Sequence, residues 1–378
     1  MMQDMSSEML YPVLPIYLSS IGFSVMLIGI LEGIAEATVG MTKGYFGQRS
    51  DITGKRVPFV RMGYALSTVA KTSMVFFVYP AWVFMTRTLD RLGKGIRTGA
   101  RDAMLSDEAT KETKGKIFGF HRSFDTLGAV LGPSLALVYL YFYPQAYRTL
   151  FFLAFIPGVF AVLITFLIKD KSTVKPVAVP GRNFFSYLGY WKESPPAFRK
   201  VVIGLLVFAL FNSSDVFLLL KLRESGMTDT WVIGIYIFYN LIYAMGSFPL
   251  GILADKIGLK SMYIIGLAAF ALVYVGMAIG IGWHVYLILF ALYGIYAAAT
   301  EGIAKAWISN ISDKKNTATA IGMYAGFQSI CTLLASSLTG IIWYSLGSAT
   351  AFITTAVVTV GVIVYFVLMK EFKEKAEA

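Results

Sequence analysis

Apolar runs of roughly 17 to 25 residues alternate with short charged or Gly/Pro/Asn-rich turns along the whole chain. A helix rises about 1.5 Å per residue, so about 20 apolar residues cross the ~30 Å hydrocarbon core of a bilayer. Each run is long enough for one crossing. The pattern predicts helices near 1–20, 25–47, 58–78, 81–104, 116–141, 148–168, 200–221, 231–251, 260–281, 285–307, 317–341 and 347–369. That is an all-α integral membrane fold of twelve transmembrane helices in two pseudo-symmetric six-helix bundles. Residues 1–168 form the N-terminal bundle, 169–199 a linker on the cytoplasmic side, and 200–378 the C-terminal bundle with a short basic tail. Pro176, Pro180, Pro195 and Pro196 punctuate the linker, and the aromatic stretch Asn183 to Trp191 predicts a helix lying in the lipid interface.

A second pattern cuts across the first. Gly47, Asp51, Gly54, Lys55 and Arg56 follow the second apolar run, and Gly251, Asp255, Gly258 and Lys260 follow the eighth at the same spacing. One small-residue, acid, glycine, base cluster per half points to a duplicated unit with a sharp turn at a membrane surface in each copy. Asp51 can cap a neighbouring helix or pair with Lys55, Arg56 or Arg61. The cluster is either a latch that opens and closes, or a tight turn anchored by its charges. The first run begins abruptly: five residues precede Ser6-Ser7-Glu8, whereas the seventh run starts near Lys200, well before its counterpart Ser213-Ser214-Asp215. The first helix therefore reads as truncated, with translation starting upstream of Met1, or as short.

Composition narrows the function. With 57% hydrophobic and 15% charged residues, the chain is too apolar for a soluble domain. Its net charge of +11 would suggest nucleic acid in a soluble protein, but here the basic residues serve as membrane anchors and no nucleic-acid partner is expected. With both termini cytoplasmic, Arg49, Lys55, Arg56, Lys111, Lys114, Lys116, Lys256, Lys260, Lys314 and Lys315 all fall on inner loops, against Arg148, Lys221 and Arg223 outside. This is the positive-inside asymmetry of a bacterial-type cytoplasmic membrane. A single cysteine, Cys331, and two histidines, His121 and His284, argue against a disulfide, a metal centre or a redox site, so neither metal nor cofactor is expected. The expected partners are the lipid bilayer and a small-molecule substrate, with the chain a monomer.

The fourth run is the most unusual. Arg87, Asp90, Arg91, Lys94, Arg97, Arg101 and Asp102 fall on one helical face. Each charge at the bilayer centre costs upwards of about 2.5 kcal/mol, so this face meets water or opposite charges rather than lipid. Partners are available: Glu32 and Glu36 on the second run, Asp4 and Glu8 on the first, and Asp125 three residues after Arg122 on the fifth. Depth counted along the helices puts Glu32, Glu36, Lys71, Arg87, Asp90 and Arg91 near one level. The network predicted, Glu8, Glu32, Glu36, Arg87, Asp90, Arg91, Lys94, Arg122 and Asp125, either couples transport to protonation of one carboxylate or simply neutralises itself and holds helices together. Glu36, Asp90, Glu32 and Glu8 are the candidates for coupling, in that order, and for Lys71 the structural role leads.

The C-terminal half differs. Phe211, Asp215, Tyr236, Asn240, Tyr293, Glu301, Tyr324 and Gln328 offer an aromatic and amide lining for a solute with apolar surface, or ordinary packing. Glu301 and Lys305, four apart, are expected to satisfy each other. In the fifth run, Gly128, Gly132 and Pro133 permit close packing and a bend.

The two six-helix halves, the paired turns after the second and eighth helices, Arg87, and Gly128-x-x-x-Gly132-Pro133 resemble the major facilitator superfamily of secondary transporters, over essentially the whole chain. Among its members the resemblance is to drug/proton antiporters, because the glycine-proline pattern is associated there with proton-driven exporters. Two features depart from the family pattern: Ile52 and Thr53 follow Asp51 where a basic residue is usual, and Ala136 stands where a further glycine is common. The resemblance implies alternating access, an ion gradient of protons in place of any cofactor, and export of a small organic solute. The alternative is a proton-coupled importer or symporter of an organic anion. An enzyme would need a reactive constellation, and His121 with Asp125 has no accompanying nucleophile, so no catalytic residues are expected.

Overall fold

The computed structural model describes residues 1–11, 13–23, 25–170, 183–280 and 282–369, and all regular elements among them are helical. In chain order they are α1 (Met2–Leu10), α2 (Leu14–Ser20), α3 (Val25–Thr53), α4 (Val57–Ser73), α5 (Pro80–Asp107), α6 (Lys114–Phe142), α7 (Tyr147–Thr165), α8 (Tyr190–Glu193), α9 (Pro196–Ala209), α10 (Val216–Glu224), α11 (Asp229–Ile257), α12 (Leu259–Ile279), α13 (Trp283–Ile311), α14 (Thr317–Leu346) and α15 (Ser348–Leu368). Among the described residues, seven helices are long and apolar enough to cross a membrane: α6, α7, α11, α12, α13, α14 and α15.

Three expectations need correction. The first and seventh predicted helices are each interrupted, α1 giving way to α2 and α9 to α10. In the second case Asn212, Ser213 and Ser214 occupy the break, residues whose side chains compete with helical hydrogen bonds, and the Ser214 amide donates instead to Ser336 Oγ at 3.1 Å. The turn after the second helix also starts later than the glycine pattern suggests. Gly47 and Asp51 lie within α3, and the chain reverses only at Gly54, with φ of +65°. Gly251 and Asp255 likewise lie within α11, and Gly258 at φ +96° makes that turn. Both reversals need the left-handed region, where glycine carries no Cβ penalty. Finally, the aromatic linker forms only a short 3-10 turn at Ser186–Gly189 followed by α8, with Tyr187 buried against Gly44, where a Cβ would come within 2.3 Å of its ring. Residues 171–182 of the linker and the basic tail from residue 370 lie outside the described residues.

The chain divides into two compact units. The first comprises residues 1–110, 120–190 and 313–330, and so includes the opening of α14. Its apolar core gathers Met9, Leu10, Leu14, Tyr17 and Leu18 with Val83, Leu150 and Phe151. Here α4 and α5 approach at backbone distance: a Cβ on Gly63 would stand 2.6 Å from the Gly93 carbonyl, and one on Gly93 2.7 Å from that of Gly63. The second unit comprises residues 111–119, 191–312 and 331–378, and so includes the opening of α6. Its core is aromatic, with Phe208, Phe270, Tyr274, Tyr293 and Tyr296 in successive ring contact.

Candidate functional site: a buried charge network and two helix caps

The charged face of α5 turns into the first unit. Arg87, Asp90, Arg91 and Arg97 are buried, at 5%, 4%, 8% and 3% exposure. Arg87 grips Glu32 of α3 with both arms of its fork, Nε to Oε1 at 2.9 Å and Nη2 to Oε2 at 2.8 Å, and its third nitrogen lies 3.4 Å from Asp90. A planar guanidinium suits this two-point grip, which a point charge could not reproduce. Arg91 stands 3.9 Å from both Glu36 and Asp90, and the side chain of Glu36 remains 59% exposed. Asp90 also accepts a hydrogen bond from Ser67 of α4.

That serine begins a chain the sequence did not disclose. Gln3 of α1 donates to Ser67 at 3.2 Å and accepts from Thr68 at 3.3 Å, while the Lys71 ammonium donates to Ser6 at 3.1 Å and Ser7 at 2.8 Å. The signal was present: Gln3, Ser6 and Ser7 recur at helical spacing on α1, and Ser67, Thr68 and Lys71 do so on α4. Arg97 stacks its guanidinium over the Tyr64 ring at 4.9 Å.

Near the start of the chain, Asp125 of α6 gathers the amino terminus at 3.6 Å, Arg101 at 3.7 Å and His121 at 3.3 Å, and Arg101 also binds Asp102 at 3.1 Å. Arg122, half-buried on α6, precedes Asp125 by one turn. Glu8 is different. Half-buried on α1, with Lys94 as its strongest opposite charge and Arg91 and Lys71 also near, it forms no ion pair within 4 Å and no side-chain hydrogen bond among the described residues. Below it on the same helix, Gly128 and Gly132 of α6 meet the α1 backbone: a Cβ there would stand 2.7 Å from the Met1 carbonyl and 2.6 Å from that of Met5. Pro133 follows inside α6.

The two repeated turns each present their aspartate to the first turn of another helix. Asp51 accepts from the Thr319 amide at 2.7 Å, the Thr319 hydroxyl at 2.7 Å and the Ala318 amide at 3.3 Å, capping α14, while Arg56 binds its other side at 3.0 Å. Asp255 accepts from the Gly115 amide at 2.6 Å and the Lys116 amide at 2.7 Å, capping α6. In both cases the carboxylate meets the second and third residues of the capped helix, where unsatisfied amides and the helix dipole favour an anion. The glycines clear the approach: a Cβ on Gly47 would stand 2.4 Å from the Ala318 carbonyl, and one on Gly251 2.4 Å from that of Gly115. Arg56 further binds Asp107 at 2.8 Å, and Asp170 caps α4 through the Arg56 and Val57 amides at 2.8 and 3.0 Å. Lys55 is exposed, and Lys260 donates to the Met369 carbonyl at 2.6 Å.

In the second unit, Asp215 accepts from the Tyr293 hydroxyl at 2.7 Å beside the α9–α10 break, and Asn212 donates to Tyr296 at 2.9 Å. Tyr293 is 2% exposed and in tilted ring contact with Tyr239, Phe270 and Tyr296, a packed position. Asn240 spends its amide on the Tyr236 carbonyl at 2.9 Å. Phe211, in the turn between α9 and α10, and Glu301 on α13 are half-buried. Tyr324 and Gln328 lie on the part of α14 that belongs to the first unit.

Seven long apolar helices, a buried web of paired charges and two capped reversals define an integral membrane protein. The sequence model of the Major Facilitator Superfamily matches residues 1–238 and again 220–378, so the chain belongs to that family: it is a transporter and not an enzyme. It is 33% identical over 350 residues to an uncharacterized MFS-type transporter of Methanocaldococcus jannaschii, covering 90% of this chain and 86% of that one. Its fold is similar to that of the human organic anion transporter MFSD10, with a TM-score of 0.83 at 14% identity, over 97% of this chain and 96% of that one. It is also similar to the E. coli fucose:proton symporter, with a TM-score of 0.77 at 12% identity, over 98% and 96% of the two chains.

Proposed function

We propose that this transporter is a secondary active carrier working by alternating access between two six-helix bundles, and that it exports a small organic solute in exchange for protons. The observation that carries the reading is Glu8. Glu32 is committed to Arg87, and Asp90 is held by Ser67 and Arg87. Glu8, in contrast, sits among Lys94, Arg91 and Lys71 with no ion pair or side-chain hydrogen bond among the described residues. A carboxylate in that setting changes its protonation when the surrounding cations shift, which is what coupling requires. In this reading Glu8 takes precedence over Glu36, Asp90 and Glu32 as the coupling carboxylate. The packing of Gly128 and Gly132 on α1 ties the helix bearing Glu8 to α6, so a movement of one is felt by the other.

The basic residues support both termini facing the cytoplasm in a bacterial-type inner membrane, with the chain acting as a monomer on the ion gradient alone. A second reading has a specific observation behind it. The cationic side chains Arg91 and Lys94 beside Glu8 and Glu36 would attract an organic anion, making the protein a proton-coupled importer of one. Purified protein in proteoliposomes separates the two. Imposed outward substrate flux acidifies the lumen for an antiporter and not for a symporter. Flux unaffected by a pH gradient in wild type and Glu8→Gln alike would reject proton coupling altogether.

A further inference from the structure

Between α9 and α15, wholly within the second unit, runs an apolar groove of about 260 Å³. Ile203, Gly204 and Val207 line one side at i, i+1 and i+4 spacing, and Val358, Gly361 and Tyr365 line the other. The two glycines do opposite things. A Cβ on Gly204 would come within 2.5 Å of the Phe366 ring, so Gly204 lets the helices close into a floor. A Cβ on Gly361 would meet nothing within 4 Å, so Gly361 leaves the trough open above that floor. Ile203 and Val207 face outward, 44% and 39% exposed. From Val358 to Tyr365 the trough runs about 10 Å, most of the ~15 Å depth of one leaflet's hydrocarbon.

One end of the groove is polar. The Tyr365 hydroxyl donates to the Lys200 carbonyl at 2.9 Å. Lys200, exposed, precedes Ile203 and Gly204 by one turn and so continues the same face of α9. The Lys260 ammonium is held at the C-terminal end of α15, 2.6 Å from the Met369 carbonyl. Arg199 is adjacent to Lys200 on α9. The geometry points to a binding site for an anionic phospholipid: one acyl chain lies in the trough, and the phosphate sits between Lys200 and Lys260 at its mouth. Lysines near helix ends reach toward the interface in this way, and each basic side chain there favours an anionic leaflet over a neutral one. The site is independent of the transported solute and of the coupling mechanism.

Native mass spectrometry of the full chain in detergent tests this, with phosphatidylglycerol and phosphatidylcholine of identical acyl chains as probes. Wild type is expected to retain phosphatidylglycerol at least about tenfold better than phosphatidylcholine, and Lys200→Gln to remove most of that preference. Gly361→Leu, which fills the trough where a side chain has room, is expected to lower retention of both lipids; Gly361→Phe repeats the test with a larger plug if leucine is accommodated. Equal retention of the two lipids by wild type would reduce the groove to ordinary lipid contact and overturn the proposal. So would phosphatidylglycerol retention unchanged in both Gly361 variants, or a preference that persists in Lys200→Gln.

Discussion

The two units share a device and differ in what they enclose. Each contains an aspartate, Asp51 or Asp255, that reaches the second and third amides of another helix across a glycine contact. Behind that common hardware the first unit buries a web of ion pairs around α5, whereas the second buries a cluster of tyrosines and phenylalanines with a hydrogen bond from Tyr293 to Asp215. Duplication therefore accounts for the two capped reversals, while the interior of each copy has gone its own way: one half encloses paired charge, and the other encloses aromatic volume.

The contrast predicts a graded series of losses. Arg87→Ala leaves Asp90 buried without its nearest cation, and is expected to lower the stability of the detergent-solubilised protein by about 3 kcal/mol in a denaturation titration. Arg87→Lys should recover part of that, because an ammonium cannot reproduce the two-point grip on Glu32. Tyr293→Phe deletes one hydrogen bond to Asp215 and leaves the surrounding rings in place, so its cost should be about 1.5 kcal/mol, roughly half that of Arg87→Ala, in the same assay. Glu8→Gln should leave substrate counterflow in place while slowing pH-gradient-driven flux about tenfold or more, the equivalent of ~1.4 kcal/mol; an equal slowing of both assays would make Glu8 structural. The caps come next. Asp51→Ala and Asp255→Ala each remove a helix cap worth about 1 kcal/mol, and the Asp51 variant should lose more because Arg56 is left without that carboxylate. Thermal unfolding of the two variants side by side reads the difference. A larger penalty for Tyr293→Phe than for Arg87→Ala would invert the comparison between the units.

Much of this was legible because membrane helices write themselves in long apolar runs. The charged stripe of α5 could also be read as inward-facing, since no lipid-exposed arrangement of Arg87, Asp90 and Arg91 is affordable. What escaped was governed by distance along the chain or by ambiguity in glycine. Asp51 caps Thr319, a partner 268 positions away that no local pattern announces. Glycine between apolar and charged segments signals reversal, so Gly47 reads as part of a turn, but in the structure it lets α3 lie against the opening of α14. The break between α9 and α10 was hidden because three polar residues, Asn212 to Ser214, are too short an interruption to outweigh the apolar stretches around them. The Gln3, Ser67, Thr68 and Lys71 chain was visible only as two unremarked polar stripes until their helices were set side by side.

A carboxylate that grips the second and third amides of a helix can do so at only one axial position. Slide the capped helix by a single turn, ~5.4 Å, and the acid faces side chains or satisfied peptide groups instead of free N–H bonds. Asp51 on α14 and Asp255 on α6 therefore fix the axial register of the helices they cap.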